Sequence, residues 1–223
     1  MSSKTVKIVC ISDTHGLTDQ ENFPLIPDGD ILLHAGDISQ QGNVDHISQF
    51  NAWLGSLPHQ YKIVIAGNHD KMLDPNLNET SREMKRLLTN CIYLEDDAVY
   101  IKGIKFYGTP FSRKRMQSTN DAFAMSAEEL KSRWAKIPDD TDILMTHTPP
   151  YGIHDVGNYS PEPQGCKYLL REVTNRIKPK LHVFGHIHFG YGSQEIGGTA
   201  FINAAMAIAG NSFNPPTVFI FQF

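Results

Sequence analysis

Short apolar runs recur along the chain, at residues 6–12, 30–35, 61–66, 98–101, 104–108, 142–146, 180–185, 200–204 and 217–223. Each has the length of a strand. Several are apolar without alternation, as in Ile31-Leu32-Leu33, Ile63-Val64-Ile65 and Val218-Phe219-Ile220-Phe221. Continuous runs of this kind predict strands covered on both faces. Between them, apolar residues return every three or four positions. Val44, Ile47, Phe50, Trp53, Leu54 and Leu57 make one stripe, and Met84, Leu87, Leu88 and Cys91 a second. Leu130, Trp134 and Ile137 make a third, led by Ser126 and Glu129 in capping-box spacing. Leu169, Leu170, Val173 and Ile177 make a fourth, stopped by Pro179. Such stripes are helix faces turned to a core.

Strands alternating with helices predict an α/β domain. Two places break the alternation. Residues 98–111 read as a hairpin turning at Lys102-Gly103, and no helical pattern separates the last two strands. The expected fold is therefore mixed, with two sheets packed face to face between helices. No repeat, low-complexity tract or linker interrupts residues 1–223, so a single domain is expected. Residues 112–121 and 151–164 are rich in polar, Gly and Pro residues and read as exposed loops.

Composition narrows the function. The chain has 223 residues, 40% of them hydrophobic and 20% charged, which excludes wholesale disorder. Lys+Arg number 20 and Asp+Glu 24, a net charge of −4. That balance argues against attachment to extended nucleic acid or anionic lipid through bulk charge. Cys10, Cys91 and Cys166 are odd in number and far apart, so no disulfide framework is expected and a reducing compartment fits. No signal-peptide pattern stands at the start, and no apolar run approaches the ~18 to 20 residues that span a bilayer. A soluble cytoplasmic protein without a membrane partner is the expectation.

The ten histidines change the picture through where they fall. The first apolar run ends in Asp13-Thr14-His15, the second in Gly36-Asp37, and the third in Gly67-Asn68-His69-Asp70. The run at 142–146 ends in His147, and that at 180–185 in His186-Ile187-His188. In open α/β sheets, the edge past the C-terminal strand ends is where ligands bind. One such motif alone is an ordinary turn. Five together, several beside glycine, predict a site.

Mixed imidazole and oxygen donors suit Mn, Fe, Zn, Co or Ni. The absence of Cys from the set argues against a structural zinc cage. An Asp, His, Asp, Asn, His, His and His drawn from these strand ends make seven donors, which exceed the needs of one tetrahedral ion and suit two ions sharing a carboxylate. Two ions ~3.5 to 4 Å apart can hold a hydroxide and clamp both oxygens of an in-line phosphoryl displacement. With only two carboxylates in the set, the loaded site stays positive and attracts a phosphodiester anion.

D-x-H, G-D, G-N-H-D, a later His and G-H-x-H, in this order from Asp13 to His188, resemble the calcineurin-like metallophosphoesterase superfamily. Trp53-Leu54-Gly55-x-Leu57-Pro58 resembles its brain-expressed metallophosphoesterase-domain subgroup and that subgroup's microbial relatives. So do the stretches at 142–150 and 179–186. The resemblance implies a four-layer α/β/β/α fold, a mixed β-sandwich flanked by helices. It implies Asp13, His15, Asp37 and His188 on a first metal, and Asn68, His147 and His186 on a second, with Asp37 bridging. Some members lack the histidine that stands here as His186. The resemblance implies hydrolysis by a metal-bridging hydroxide, with His69 assisting the leaving group as general acid and Asp70 orienting His69. Two divalent transition-metal ions are the implied cofactors, manganese foremost.

The implied function is hydrolysis of small phosphodiesters such as cyclic nucleotides. The alternatives are a phosphomonoesterase or protein phosphatase, and a nucleotide-binding regulator with weak activity. A small phosphodiester or nucleotide is the expected partner. Arg113-Lys114-Arg115 is the densest basic cluster, and Arg113 and His154 are candidates for substrate contact. His34 and His182 read as buried core residues or supports of the site, and Asn203 as a further support. His46 and His59 read as surface residues. The aromatics Phe111, Phe123, Tyr151 and Tyr159 could stack a base, though packing explains them equally well.

Overall fold

The computed structural model describes residues 5–114, 119, 121–158, 161–208 and 212–223. Along the chain follow β1 (Thr5–Ile11), β2 (Ile31–Ala35), α1 (Val44–Ser56), β3 (Tyr61–Ile65), α2 (Ser81–Arg86), β4 (Ile92–Tyr93), β5 (Asp97–Ile101) and β6 (Ile104–Thr109). Then come β7 (Ser112–Arg113), β8 (Ala124–Met125), α3 (Ala127–Trp134), β9 (Ile143–Thr146), α4 (Lys167–Glu172) and β10 (Leu181–Phe184). The last are β11 (Gly192–Ile196), β12 (Thr199–Asn203), β13 (Ala207–Ile208), β14 (Ser212–Phe213) and β15 (Thr217–Gln222).

Two sheets dominate. One has the order β15-β1-β2-β3-β4 and the other β11-β12-β10-β9-β6-β5. In the first, β1 to β4 are parallel and β15 pairs antiparallel with β1. In the second, β12, β10, β9 and β6 are parallel, with antiparallel strands at both edges. The fold is thus mixed α/β, as the pattern predicts. The hairpin of β5 and β6 turns at Lys102 and Gly103, both at positive φ (53° and 84°), as a two-residue turn between twisted strands requires.

Side-chain alternation explains the unbroken apolar runs. Val6, Ile8 and Cys10 of β1 join Leu33, Ile63, Phe106, Met145 and Val183 in the core between the sheets. Val9 and Ile11 point the other way, into a core that includes Ile47, Phe50 and Leu54 of α1. On the second sheet, Leu144 and Phe184 belong to the same outer core as Leu130, Trp134 and Leu169 of the helices. Both faces are therefore dry at the central strands β1, β2, β9 and β10, whereas β15, expected to be covered on both faces, is an edge strand whose Val218 and Ile220 are exposed. The N-cap of α1 is Asn43, and α3 starts with the Ser126–Glu129 capping box. After α4 the chain makes one π-helical turn and leaves through Lys178 in the left-handed conformation, just before Pro179.

Six strands lie outside the predicted runs. Five are two-residue pairs, too short to carry a period. The sixth, β11, is an edge strand whose Ser193 to Ile196 are all exposed, so burial imposes no apolar pattern on it. No described helix is long and apolar enough to cross a membrane.

Trp134 is fully buried and its indole N–H meets the Cys166 sulfur at 3.2 Å. Trp134→Ala should lower unfolding stability by about 3–5 kcal/mol through the cavity it leaves, measurable by urea denaturation.

Candidate metal centre

Five strands deliver the candidate ligands to one edge. Asp13 and His15 follow β1, Asp37 follows β2, and Asn68 and His69 follow β3. His147 follows β9, and His186 and His188 follow β10. The first three strands belong to one sheet and the last two to the other. A parallel bridge between Ser12 and Ala205 joins the sheets at this edge.

The backbone there is contorted. Asp13, His15, Asp37 and His186 all have left-handed φ, at 54°, 49°, 56° and 69°. Such conformations in non-glycine residues cost on the order of 1–3 kcal/mol each and persist only where surroundings enforce them. Backbone hydrogen bonds do so here: the amides of Asp13, His15 and Gly16 donate to the carbonyls of Gly36, Asp37 and Ile38. Glycine makes the close approach possible. A Cβ on Gly36, at φ 100°, would stand 2.6 Å from both the Ala66 carbonyl oxygen and the His147 ring. One on Gly185 would collide with the carboxylate of Asp13 and the hydroxyl of Ser12.

The seven side chains converge in an unbroken sequence of donor atoms. Asp13 Oδ1 lies 3.2 Å from His188 Nε2. That nitrogen lies 3.1 Å from His15 Nε2, which is 3.8 Å from Asp37 Oδ2. Asp37 Oδ2 is 3.4 Å from His147 Nε2, which is 3.0 Å from Asn68 Oδ1. Asn68 Oδ1 is in turn 2.6 Å from His186 Nδ1. Asp37 Oδ2 stands in the middle. Asp13, His15 and His188 form one triad with ligand atoms within 4.8 Å of one another, and Asp37, His147 and His186 form another. Asp13, His15, Asp37, Asn68 and His147 are buried, whereas His69, His186 and His188 are half-buried and open the site to solvent.

Partners outside the cluster aim its rings. His147 Nδ1 donates to the Ala35 carbonyl at 2.9 Å, which turns Nε2 toward Asn68 and Asp37. His69 Nδ1 donates to the Gln40 carbonyl at 2.7 Å, leaving Nε2 facing Asp37 Oδ2 at 4.0 Å. His69 also forms a triad with His15 and Asp37. Asp37 Oδ1 accepts from the His69 amide at 2.9 Å, and both oxygens of Asp13 accept from the His186 amide.

The electrostatics fit cations. Burial opposes ionisation of Asp37, but the charge and hydrogen bond of His147 hold its carboxyl well below the usual range. Burial likewise resists ionisation of Asp13, and His188 outweighs it. His147 responds in kind: burial pulls it down, yet Asp37 brings it up to about 9. A proton thus balances the carboxylate when no metal is present. At His15 burial outweighs the charges of Asp37 and Asp13 and lowers it to about 4. Its neutral imidazole lies among oxygen and nitrogen donors, the environment of a borderline divalent ion. The donor set fits two such ions.

His59 stands differently from expectation, and the other candidates have the following surroundings. Asp70 Oδ1 accepts from the amide and hydroxyl of Ser39, and Oδ2 from the amides of Ile38 and Gly67. It ties the loop after β2 to the loop after β3, while the Gln40 carbonyl holds the His69 ring. Buried among the same charges, Asp70 is pushed up to about 6 by desolvation and by Asp37. His59 is buried, not on the surface, because its Nε2 finds the carbonyl of Pro27 at 3.1 Å. Arg113 is exposed on β7, and the Asn68 carbonyl accepts from the Ala122 amide just before the paired strand β8. The carbonyl of His154 accepts from Asn203 Nδ2, which also bonds the Ile187 carbonyl beside His188. Arg115 and Tyr159 lie outside the described residues. Gln40, Ala35 and Ser39 act through backbone groups or a short hydroxyl and carry no sequence signal.

Known proteins share this arrangement of elements. Solved structures superpose with TM-scores of 0.65 and 0.60 at 15% and 14% identity, the second from Thermus thermophilus, each covering 90% of this chain and 90% and 89% of their own. At that identity they share the fold alone. Metallophosphoesterase domain-containing protein 1 of Homo sapiens is 39% identical over 241 residues, 95% of this chain and 70% of that protein. A UPF0046 protein of Caenorhabditis elegans is 40% identical over 215 residues, covering 90% of this chain and 75% of its own. Residues 6–190, from β1 through the turn that carries His188, match the calcineurin-like phosphoesterase family, and the chain belongs to it.

Proposed function

We propose that this phosphoesterase is a dinuclear metal-dependent phosphodiesterase of small substrates such as cyclic nucleotides. The observation that carries the reading is the unbroken line of donor atoms from Asp13 to His186 with Asp37 at its centre. Asp13, His15, Asp37 and His188 would hold one ion, and Asp37, Asn68, His147 and His186 the other, manganese being the first choice. Such ions supply Lewis-acid charge to phosphoryl oxygens and lower the pKa of water toward ~7. The chain's own residues do the rest. Asp13 and Asp37 are the only acids among the seven, so the loaded site remains cationic and draws an anionic diester. His69, anchored at Nδ1, presents Nε2 at the half-buried mouth, where it can deliver a proton to the departing oxygen. Asp70 keeps the loops of Asp37 and His69 in register. Arg113 and His154 are assigned to the substrate. The net charge of −4 favours a nucleotide over extended nucleic acid. Three free cysteines agree with a cytoplasmic setting.

With added Mn²⁺, bis-p-nitrophenyl phosphate should be hydrolysed faster than p-nitrophenyl phosphate; a strong preference for the monoester would overturn the diester assignment. His69→Asn should keep two ions per chain by elemental analysis while turnover falls roughly 10² to 10⁴-fold, and an undiminished rate would remove His69 from the mechanism. Asp37→Asn should lose both metal occupancy and activity. Retention of two ions in that variant contradicts a bridging carboxylate.

A further inference from the structure

Two fully buried histidines stand behind the donor atoms, one in the middle of each sheet. His34 lies on β2 and His182 on β10. The Gly36 amide donates to His34 Nδ1 at 3.3 Å, so that nitrogen carries no proton. His34 Nε2–H therefore donates to Thr14 Oγ1 at 3.0 Å. His182 Nε2 lies 2.9 Å from Thr146 Oγ1, whose own proton goes to the Thr148 carbonyl at 2.7 Å. Nε2 is again the donor. Each sheet thus carries the same device: an imidazole protonated at Nε2, donating to a threonine hydroxyl. Burial lowers both imidazoles to about 3, so they stay neutral. Aromatic walls fix the rings, Phe50 at 4.9 Å from His34, and Phe184 and Phe201 at 5.1 and 5.7 Å from His182.

Each threonine flanks a ligand that needs aiming. Thr14 lies between Asp13 and His15, both left-handed. Thr146 precedes His147, and its hydroxyl reaches across that residue to the Thr148 carbonyl, clamping the chain on both sides of the ring. A hydroxyl that also faced water could not set either turn, but all four side chains are buried.

We propose that His34 and His182 are positioning residues, each aiming through its threonine the ligands of a different ion. The His34–Thr14 pair serves the ion of Asp13, His15 and His188, and the His182–Thr146 pair that of Asn68, His147 and His186. This rests on the dinuclear reading above. It goes further in making the two supports independent, one per sheet. A role in packing alone would lower stability without distinguishing between the ions.

The test is Mn²⁺ binding by calorimetric titration with thermal unfolding alongside. Wild type should bind two ions. Thr146→Val should weaken one ion about 10–100-fold, the usual cost of losing such an outer partner, and leave the other unchanged. Thr14→Val should do the same to the opposite ion. A His186→Ala background, which keeps only the ion of Asp13, identifies them: there Thr14→Val should weaken binding and Thr146→Val should not. His182→Gln, whose amide can donate from the Nε2 position, should bind both ions as wild type does, whereas His182→Phe should not. That pair decides the matter should a valine variant fail to fold. Fewer than two ions in wild type overturns the dinuclear reading and the inference with it. Two ions in wild type, with both or neither weakened by each threonine variant, overturns the inference alone.

Discussion

Asp37 carries a negative charge to the junction of the two sheets, where its side chain is 2% exposed. A buried carboxylate is costly unless charge and hydrogen bonds compensate it. One oxygen is compensated by the His69 amide. The other faces His15 and His147. The surrounding architecture supplies positive charge to that oxygen. It brings the ends of β1, β3 and β9 to within side-chain reach of the end of β2, and it leaves open which positive charge is used, a proton on His147 or a metal ion.

Bringing so many strand ends together leaves little room. The left-handed residues and the glycines are two aspects of one demand: the chain must turn sharply within a few residues of each strand end so that the polar side chains there point inward. At Gly36, a side chain of any kind would meet the neighbouring loop. At Asp13 and His15 the strain is accepted in residues whose side chains the site needs. Asp70 shows how it is held, with one carboxylate gathering backbone amides from two loops.

Much of this was legible in the amino-acid sequence. Strands covered on both faces must be continuously apolar, so β1, β2, β3, β9 and β10 announce themselves, and the residue after each apolar run is conspicuous because it is polar. The mixed topology was readable from the Lys102-Gly103 turn and from the missing helix before β15. The illegible parts have physical reasons. An edge strand such as β11 buries nothing and needs no period. The carbonyls of Ala35 and Gln40 set the imidazole tautomers, and a carbonyl belongs to every residue alike. Asp70 sits beside His69 in sequence, yet its oxygens face amides of another loop, which only the tertiary fold brings near. His59 is buried by Pro27, a partner 32 positions away.

The two donor triads do not divide between the sheets. Asp13 and His15 rise from one sheet while His188 descends from the other, and Asp37 meets His147 and His186 across the same gap. His15 and His188 are separated by 173 residues of chain. A cation seated in either triad would thus tie the two layers of the sandwich, at a rim where the ends of β1 and β12 are already joined by the Ser12–Ala205 bridge. A cation held there would add one more tie to the apolar core that already joins the layers, so its removal should make them easier to part.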